Sequence, residues 1–184
     1  MRVAITLLQY EHGVIRQVLD CLGKAAREDG KHISLFPDIS TFLTEYMDEF
    51  HHGKEERFLF PFMRDFDLMP DAVDDLLEDH RKARELIGAM GECIEGDEVT
   101  DPREYMARAR ELVEHVTLHV QVEENSVFPR IEESISIEQD QKLYEKYDHF
   151  TTRGFGPDFQ KKNEDFSFYL QDKIMGPGRI EGIF

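Results

Sequence analysis

Two segments of the chain carry histidine and glutamate at the same spacing, and both residue types bind metals in proteins. The first segment runs from His51 to Pro61, and the second runs from His119 to Pro129. In each segment a glutamate follows the histidine by four residues, which places both side chains on one face of an α-helix. Each segment is therefore predicted to contribute an imidazole and a carboxylate to a metal site.

The offset that places His51 on His119 continues towards the N-terminus, where it aligns Glu11-His12 with Asp79-His80. Each half of the chain thus holds one histidine, a second histidine at a fixed distance along the chain and a glutamate four residues after that. A single His-x-x-x-Glu is common by chance in a chain with 39 acidic residues, where it forms an exposed ion pair. Repetition of the whole set indicates a duplicated binding site.

A metal would resolve an arrangement that is otherwise costly, because ionised glutamates are unstable in an apolar interior without a partner. Nitrogen and oxygen donors without thiolate suit iron, manganese or zinc. The two matched sets predict two metals, one for each repeat. The six candidate ligands are His12, His51, Glu55, His80, His119 and Glu123.

Four stretches with helical periodicity must position these residues, at about 5–29, 37–66, 71–95 and 102–133. Pro37 and Asp101-Pro102 are typical helix starts, and Asp29-Gly30 is a stop signal. Pro61 is expected to kink the second helix or to end its regular part. Strand signals are absent. Amphipathic helices with short connections predict an all-α fold, an antiparallel up-down four-helix bundle with a C-terminal helical extension.

The predicted domain organisation is a bundle over 1–134, with repeats at about 5–66 and 71–133, followed by an extension over 135–184. Within the extension, helices are expected at about 137–150 and 157–174. The Gly- and Pro-rich ending, Met175–Phe184, is expected to be extended. The aromatic residues of the extension predict that it packs on the bundle, with a second subunit as the alternative.

Composition excludes several classes of function. The net charge of −17 argues against nucleic acid and anionic membrane surfaces, which recruit basic patches. No run of about 20 apolar residues is present, so no membrane span is expected. The first residues are too polar for a secretory signal, and Cys21 and Cys93 are expected to be small buried residues. The sequence therefore predicts a cytoplasmic protein.

The order of the six candidate ligands resembles that of the hemerythrin-like family, specifically its HHE cation-binding branch. The matching residues are His12, His51-x-x-x-Glu55 with Phe60-Pro61, His80, and His119-x-x-x-Glu123 with Phe128-Pro129. The likeness covers about residues 5–133. It implies a four-helix bundle that holds a non-haem di-iron centre with two iron ions. It also implies that His12 and His51 bind one iron, that His80 and His119 bind the other, and that Glu55 and Glu123 bridge them.

The resemblance further implies a protein that binds iron and interacts with dioxygen, nitric oxide or peroxide, for sensing, storage or scavenging. The alternative is a di-iron oxidoreductase that turns over peroxide, oxygen or nitric oxide. Oxygen-carrying hemerythrins have five histidines, the fifth lying one turn from the ligand on the third helix. Leu76 and Arg84 stand at that distance from His80 here, so reversible oxygen carriage is not expected.

Further residues compete for the site. His115, one turn before His119, could supply the missing histidine, and Glu124 is a second choice beside its neighbour Glu123. His52 and Glu56 form another pair with four-residue spacing, but they are expected to face solvent, because Glu45 and Asp48 share their side of the helix.

Two other kinds of metal site do not fit the spacing. A ferritin-like centre needs two Glu-x-x-His motifs, and only Glu49-x-x-His52 is present. The His-Glu-x-x-His motif of zinc peptidases is absent.

Overall fold

The computed structural model describes residues 2–28 and 30–176, which are mostly helical. In chain order the elements are α1 (Val3–Ala25), a 3₁₀ turn (Ile33–Leu35), α2 (Phe36–Phe42), the π-helices π1 (Leu43–His52) and π2 (Glu55–Leu59), α3 (Phe60–Asp65), α4 (Pro70–Gly91), β1 (Ile94–Glu95), β2 (Glu98–Val99), α5 (Pro102–Val122), the π-helix π3 (Glu123–Val127), α6 (Phe128–Ser134), α7 (Ile137–Gly154) and α8 (Phe159–Ile174). The all-α prediction is confirmed. Asp29 and residues 177–184, which include most of the ending predicted to be extended, lie outside the described residues.

The second helical stretch (36–65) and the fourth (102–134) contain π-helix where the sequence predicts regular α-helix. In π2 the Phe60 N–H donates to the Glu55 carbonyl, five residues earlier, and in π3 the Phe128 N–H donates to the Glu123 carbonyl. A proline, which has no N–H, follows each of these phenylalanines. The regular hydrogen bonding is thus interrupted before Pro61, and the same irregularity recurs in the second repeat.

The connection between α4 and α5 is a small β-hairpin that the sequence analysis does not predict. Its two strands pair antiparallel, with Ile94 opposite Val99, around Gly96 at a positive φ of 61°. The strands are only two residues long, too short to show an alternating pattern. The predicted N-cap beyond them is confirmed, because the Asp101 side chain accepts a hydrogen bond from the Glu104 N–H.

The core consists of two apolar clusters with a buried polar layer between them. Cluster A contains Leu8, Phe60, Val73 and Phe128, and cluster B contains Ile15, Phe50, Leu86 and Leu112, each with their neighbours. Helix α1 runs from A to B, the second stretch from B to A, α4 from A to B, and the fourth stretch from B to A. Each of these four stretches therefore crosses the polar layer once.

Helices α7 and α8 pack on this core. Leu143 of α7 is buried in cluster A, and Leu170 of α8 is buried in cluster B. The Asp140 carboxylate of α7 accepts hydrogen bonds from the Val3 and Ala4 N–H groups, so it caps α1, which has no side-chain cap of its own. No helix among the described residues is long and apolar enough to cross a membrane.

Candidate metal centre

The six residues predicted as ligands lie together in the buried polar layer, and none is more than 3% exposed. Their ligand atoms form two groups, each within 4.8 Å: His12, His51, Glu55 and Glu123 in the first, and Glu55, His80, His119 and Glu123 in the second. The set with His12 and His51 is the first group, and the set with His80 and His119 is the second group. Because both groups contain Glu55 and Glu123, the structure brings the two halves of the repeat into one cluster.

Each shared glutamate lies between a histidine of the first group and a histidine of the second. Glu55 Oε1 is 3.7 Å from His51 Nε2, and Glu55 Oε2 is 3.4 Å from His80 Nε2. Glu123 Oε2 is 3.1 Å from His12 Nε2 and 3.4 Å from His119 Nε2. A carboxylate in such a position can bridge two cations.

Six inner atoms of the cluster lack hydrogen bonds to any described residue, whereas His80 Nε2 lies 3.2 Å from His119 Nε2 and is paired with it. Within the described residues no hydrogen-bond partner exists for Nε2 of His12, Nε2 of His51, or either carboxylate oxygen of Glu55 and Glu123. Leaving a buried polar atom unpaired costs about 1–3 kcal/mol. The cluster is therefore unfavourable as a purely structural core, and its nitrogen and oxygen donors fit cations such as iron, manganese or zinc.

The outward-facing Nδ1 atom of each of these four histidines lies near a further carboxylate. The pairs are His12 with Glu124 at 3.1 Å, His51 with Glu11 at 2.9 Å, His80 with Glu56 at 2.8 Å, and His119 with Asp79 at 3.5 Å. In the first three pairs the carboxylate can accept from Nδ1–H, and a neutral ring that carries its proton there directs its Nε2 lone pair into the cluster. Metal-binding histidines are commonly oriented in this way.

Arginines hold two of the outer carboxylates in place. Arg16 lies 2.6 Å from Glu124, and Arg84 lies 2.5 Å from Glu56. Glu56 and Glu124 thus contact the outer side of histidines, and neither belongs to a group that could hold a metal among the described residues. The outer carboxylates could have been predicted from the sequence. Each of them adjoins a candidate ligand and has an acidic counterpart at the aligned position of the other repeat: Glu11 with Asp79, and Glu56 with Glu124.

The prediction that His52 faces solvent is wrong. Its side chain is buried, its Nδ1 lies 3.3 Å from Asp48 Oδ1, and it forms a third group of possible ligands with His80 and His119. His52 ends π1, and a π-helix bonds from residue i to i+5, so its turns hold more residues than the 3.6 of an α-helix. Faces assigned from the α-helical period are therefore displaced here.

His115 does not join the cluster. Its Nε2 donates to the Asp79 carbonyl oxygen at 2.8 Å, and its side chain is 23% exposed. His115 is absent from every group of possible ligands among the described residues. Its contact instead helps to position Asp79, the outer carboxylate near His119.

A buried lysine breaks the symmetry between the two halves. Lys54 is 1% exposed and its ammonium donates to Glu11, the carboxylate that also accepts from His51. The Lys54 Nζ also lies 3.4 Å from the centroid of the Phe50 ring, a cation–π contact. The aligned position in the second repeat is Val122, so that repeat has no equivalent, and the sequence pattern gives no signal for this lysine.

Burial changes the protonation of the cluster. It raises the pKa of Glu55 well above its usual value, and the nearby Glu123 carboxylate raises it further. Burial also acts on Glu123, but His119 and His12 outweigh it and lower the pKa of that carboxyl. Burial and neighbouring imidazoles hold the pKa values of His51 and His80 well below normal. Both rings are therefore neutral, as metal ligands must be.

A family model described as the hemerythrin HHE cation binding domain matches residues 3–144. The chain therefore belongs to this family. The match includes the four helical stretches that cross the polar layer and the first part of α7. No curated protein and no solved structure matched the chain.

Proposed function

We propose that this chain is a non-haem di-iron protein that binds a small ligand such as dioxygen, nitric oxide or peroxide. His12 and His51 hold one iron, His80 and His119 hold the other, and Glu55 and Glu123 bridge them. The observation that carries this assignment is the sharing of both glutamates by two groups of four buried donors. The unpaired inner atoms support it, because two cations would satisfy all of them.

The scaffold for this centre is an antiparallel up-down four-helix bundle made of α1, the second stretch, α4 and the fourth stretch. The alternating order in which these stretches pass between clusters A and B supports that arrangement. Four consecutive crossings of one polar layer place ligands from all four stretches at the same height. The bundle would therefore align the two repeats around the centre without any contribution from a loop.

We further assign His52 to the iron held by His80 and His119. The His52 ring is stacked on His80 with centroids 3.8 Å apart, and Asp48 occupies its Nδ1. With His52 the centre has five histidines and two carboxylates, distributed as three nitrogens on one side and two on the other. The number of histidines then equals the five of the oxygen-carrying hemerythrins, although the fifth histidine comes from the second stretch.

The uneven distribution of nitrogens favours binding of the small ligand on one side of the centre. Bound iron with an open coordination position supplies a site that binds dioxygen, nitric oxide or peroxide and exchanges electrons with it. The three histidines on one side limit access there, so the small ligand is expected at the His12 and His51 side. The outer carboxylates keep the Nε2 lone pairs of His12, His51 and His80 directed inwards.

Metal analysis and an absorption spectrum of the iron-loaded protein test this proposal. We expect two irons for each chain and a new absorption band on addition of azide to the oxidised protein. One iron per chain, or iron retained when both Glu55 and Glu123 are changed to alanine, would contradict the bridged centre. Rapid catalytic consumption of peroxide would instead favour a di-iron oxidoreductase.

A further inference from the structure

Tyr147 of α7 is a buried tyrosine that the metal ligands do not explain. It is 0% exposed, and its hydroxyl has no hydrogen-bond partner among the described residues. Other buried tyrosines are paired: the Tyr105 hydroxyl contacts Ser40 and the Phe36 carbonyl, and Tyr46 accepts from Gln160. An unpaired phenol in a protein interior is costly, so its position calls for a ligand.

The surroundings of Tyr147 are those of the centre. Helix α7 packs against α1 and π2, and the Tyr147 ring lies 6.1 Å from the ring of Phe58 in π2. Gly53 permits this close approach, because a Cβ there would lie 3.3 Å from the Phe150 ring of α7. Helix α7 therefore lies against the segment that carries the shared ligand Glu55.

Tyr147 is buried in cluster A, on the face of α7 that packs against α1 and π2. Burial raises the pKa of Tyr147 well above its usual value, and four carboxylates raise it further, in the order Glu55, Glu11, Asp140 and Glu123. Glu55, Glu11 and Glu123 come from three different helical stretches, which meet in the polar layer. Helix α7 packs against α1, which carries Glu11 and His12, and against π2, which carries Glu55, so Tyr147 belongs to the His12 side of the cluster.

We infer that the Tyr147 hydroxyl donates a hydrogen bond to the small ligand that binds at the His12 and His51 side of the centre. This inference rests on the proposed function. A neutral phenol among carboxylates keeps its proton, so it can donate to an anionic or polarised ligand. Such a contact would come from α7, outside the duplicated part of the chain.

Azide binding to the iron-loaded protein tests the inference, with Tyr147→Phe as the variant. The substitution removes only an unpaired hydroxyl, so we expect two irons and a stability equal to or above that of the wild type. Loss of a hydrogen bond to an anion should weaken azide binding by about tenfold or more. The azide stretching band of the wild type should shift between H₂O and D₂O, and this shift should disappear in Tyr147→Phe.

Tyr105→Phe is the matched control, because that hydroxyl is bonded within cluster B. It should lower stability and leave azide affinity unchanged, the reverse of Tyr147→Phe. Unchanged azide affinity in iron-loaded Tyr147→Phe would overturn the inference and leave the di-iron proposal standing. Loss of iron from that variant would do the same, because it would show that Tyr147 has a structural role. If Tyr147→Phe does not fold, absence of the D₂O shift in the wild type overturns the inference. A wild-type chain that binds no iron would overturn both.

Discussion

The imidazole of His52 lies parallel to that of His80, with the two ring planes 13° apart and their centroids 3.8 Å apart. This contact brings a third histidine to the second group, on the side of the cluster opposite His12. It makes the two groups of possible ligands unequal although the repeat that builds them is regular. Because only the second group contains a third histidine, loss of His52 should affect that group alone.

His52→Ala should weaken the binding of one of the two irons by about tenfold or more and leave the other bound. The reason is that the second group loses a nitrogen donor, whereas the first group is unchanged. Iron content after dialysis against increasing chelator measures the effect. His115→Ala is the control and should retain both irons, since His115 contacts only Asp79 at its ring nitrogen. Equal iron content in the two variants would argue against a role for His52.

The sequence predicts those parts of the centre that occur twice. His12 and Glu55 could be identified because His80 and Glu123 stand at the aligned positions of the second repeat, in the same order. A matched pair distinguishes a buried member of the cluster from the many exposed acidic residues of this chain. The four stretches that carry these residues were also predictable, because their apolar positions follow the α-helical period.

The features without a counterpart were not predictable. Val120 and Val122 stand where a second copy of His52 and Lys54 would be, so comparison of the repeats gives no signal for either residue. The orientation of His52 depends on π1, which the α-helical period does not describe. Tyr147 lies outside the repeat, and its approach to the centre depends on how α7 packs.

The Glu55 carboxyl should contribute a fall in the stability of the metal-free protein as the pH rises above the ordinary range of glutamate, opposite in sign to the contribution of the low-pKa imidazoles of His51 and His80. Burial raises the pKa of Glu55 from a usual 4.5, so the folded protein keeps a proton that the unfolded chain releases. This contribution lowers the free energy of unfolding by about 1.4 kcal/mol for each pH unit, until the pH passes the folded-state pKa of Glu55. Urea unfolding at several pH values measures this slope.

Glu55→Gln should remove that contribution, because the amide is neutral at every pH. The difference in unfolding free energy between wild type and variant should therefore change by about 1.4 kcal/mol for each pH unit. Glu56→Gln is the matched control and should keep the contribution, since Glu56 lies on the outer side of His80. A slope in Glu55→Gln as steep as in the wild type would show that another group is responsible.

Asp140→Ala should destabilise the protein by about 1 kcal/mol or more, because it removes the cap from α1. Asp140 accepts from the N–H groups of both Val3 and Ala4 and also connects α7 to α1. Asp101→Ala removes an ordinary cap that accepts from one N–H group on α5, and it should cost less. Thermal unfolding of the two variants compares the caps. A smaller effect for Asp140→Ala would indicate that α7 contributes little to holding α1.

Lys54→Met should destabilise the metal-free protein by about 3–5 kcal/mol near pH 8, because it leaves Glu11 buried without a counter-charge. Burial already raises the pKa of Glu11, and Lys54 opposes that shift. Without Lys54 the carboxyl becomes easier to protonate, so the cost should be smaller near pH 5. The double variant Lys54→Met, Glu11→Gln should recover most of the loss, as a double-mutant cycle in urea would show.

Asp79→Asn is the control from the second repeat, and because Asp79 is 38% exposed it should cost less than about 1 kcal/mol. A Lys54→Met variant as stable as the wild type at both pH values would mean that Glu11 does not need its ion pair.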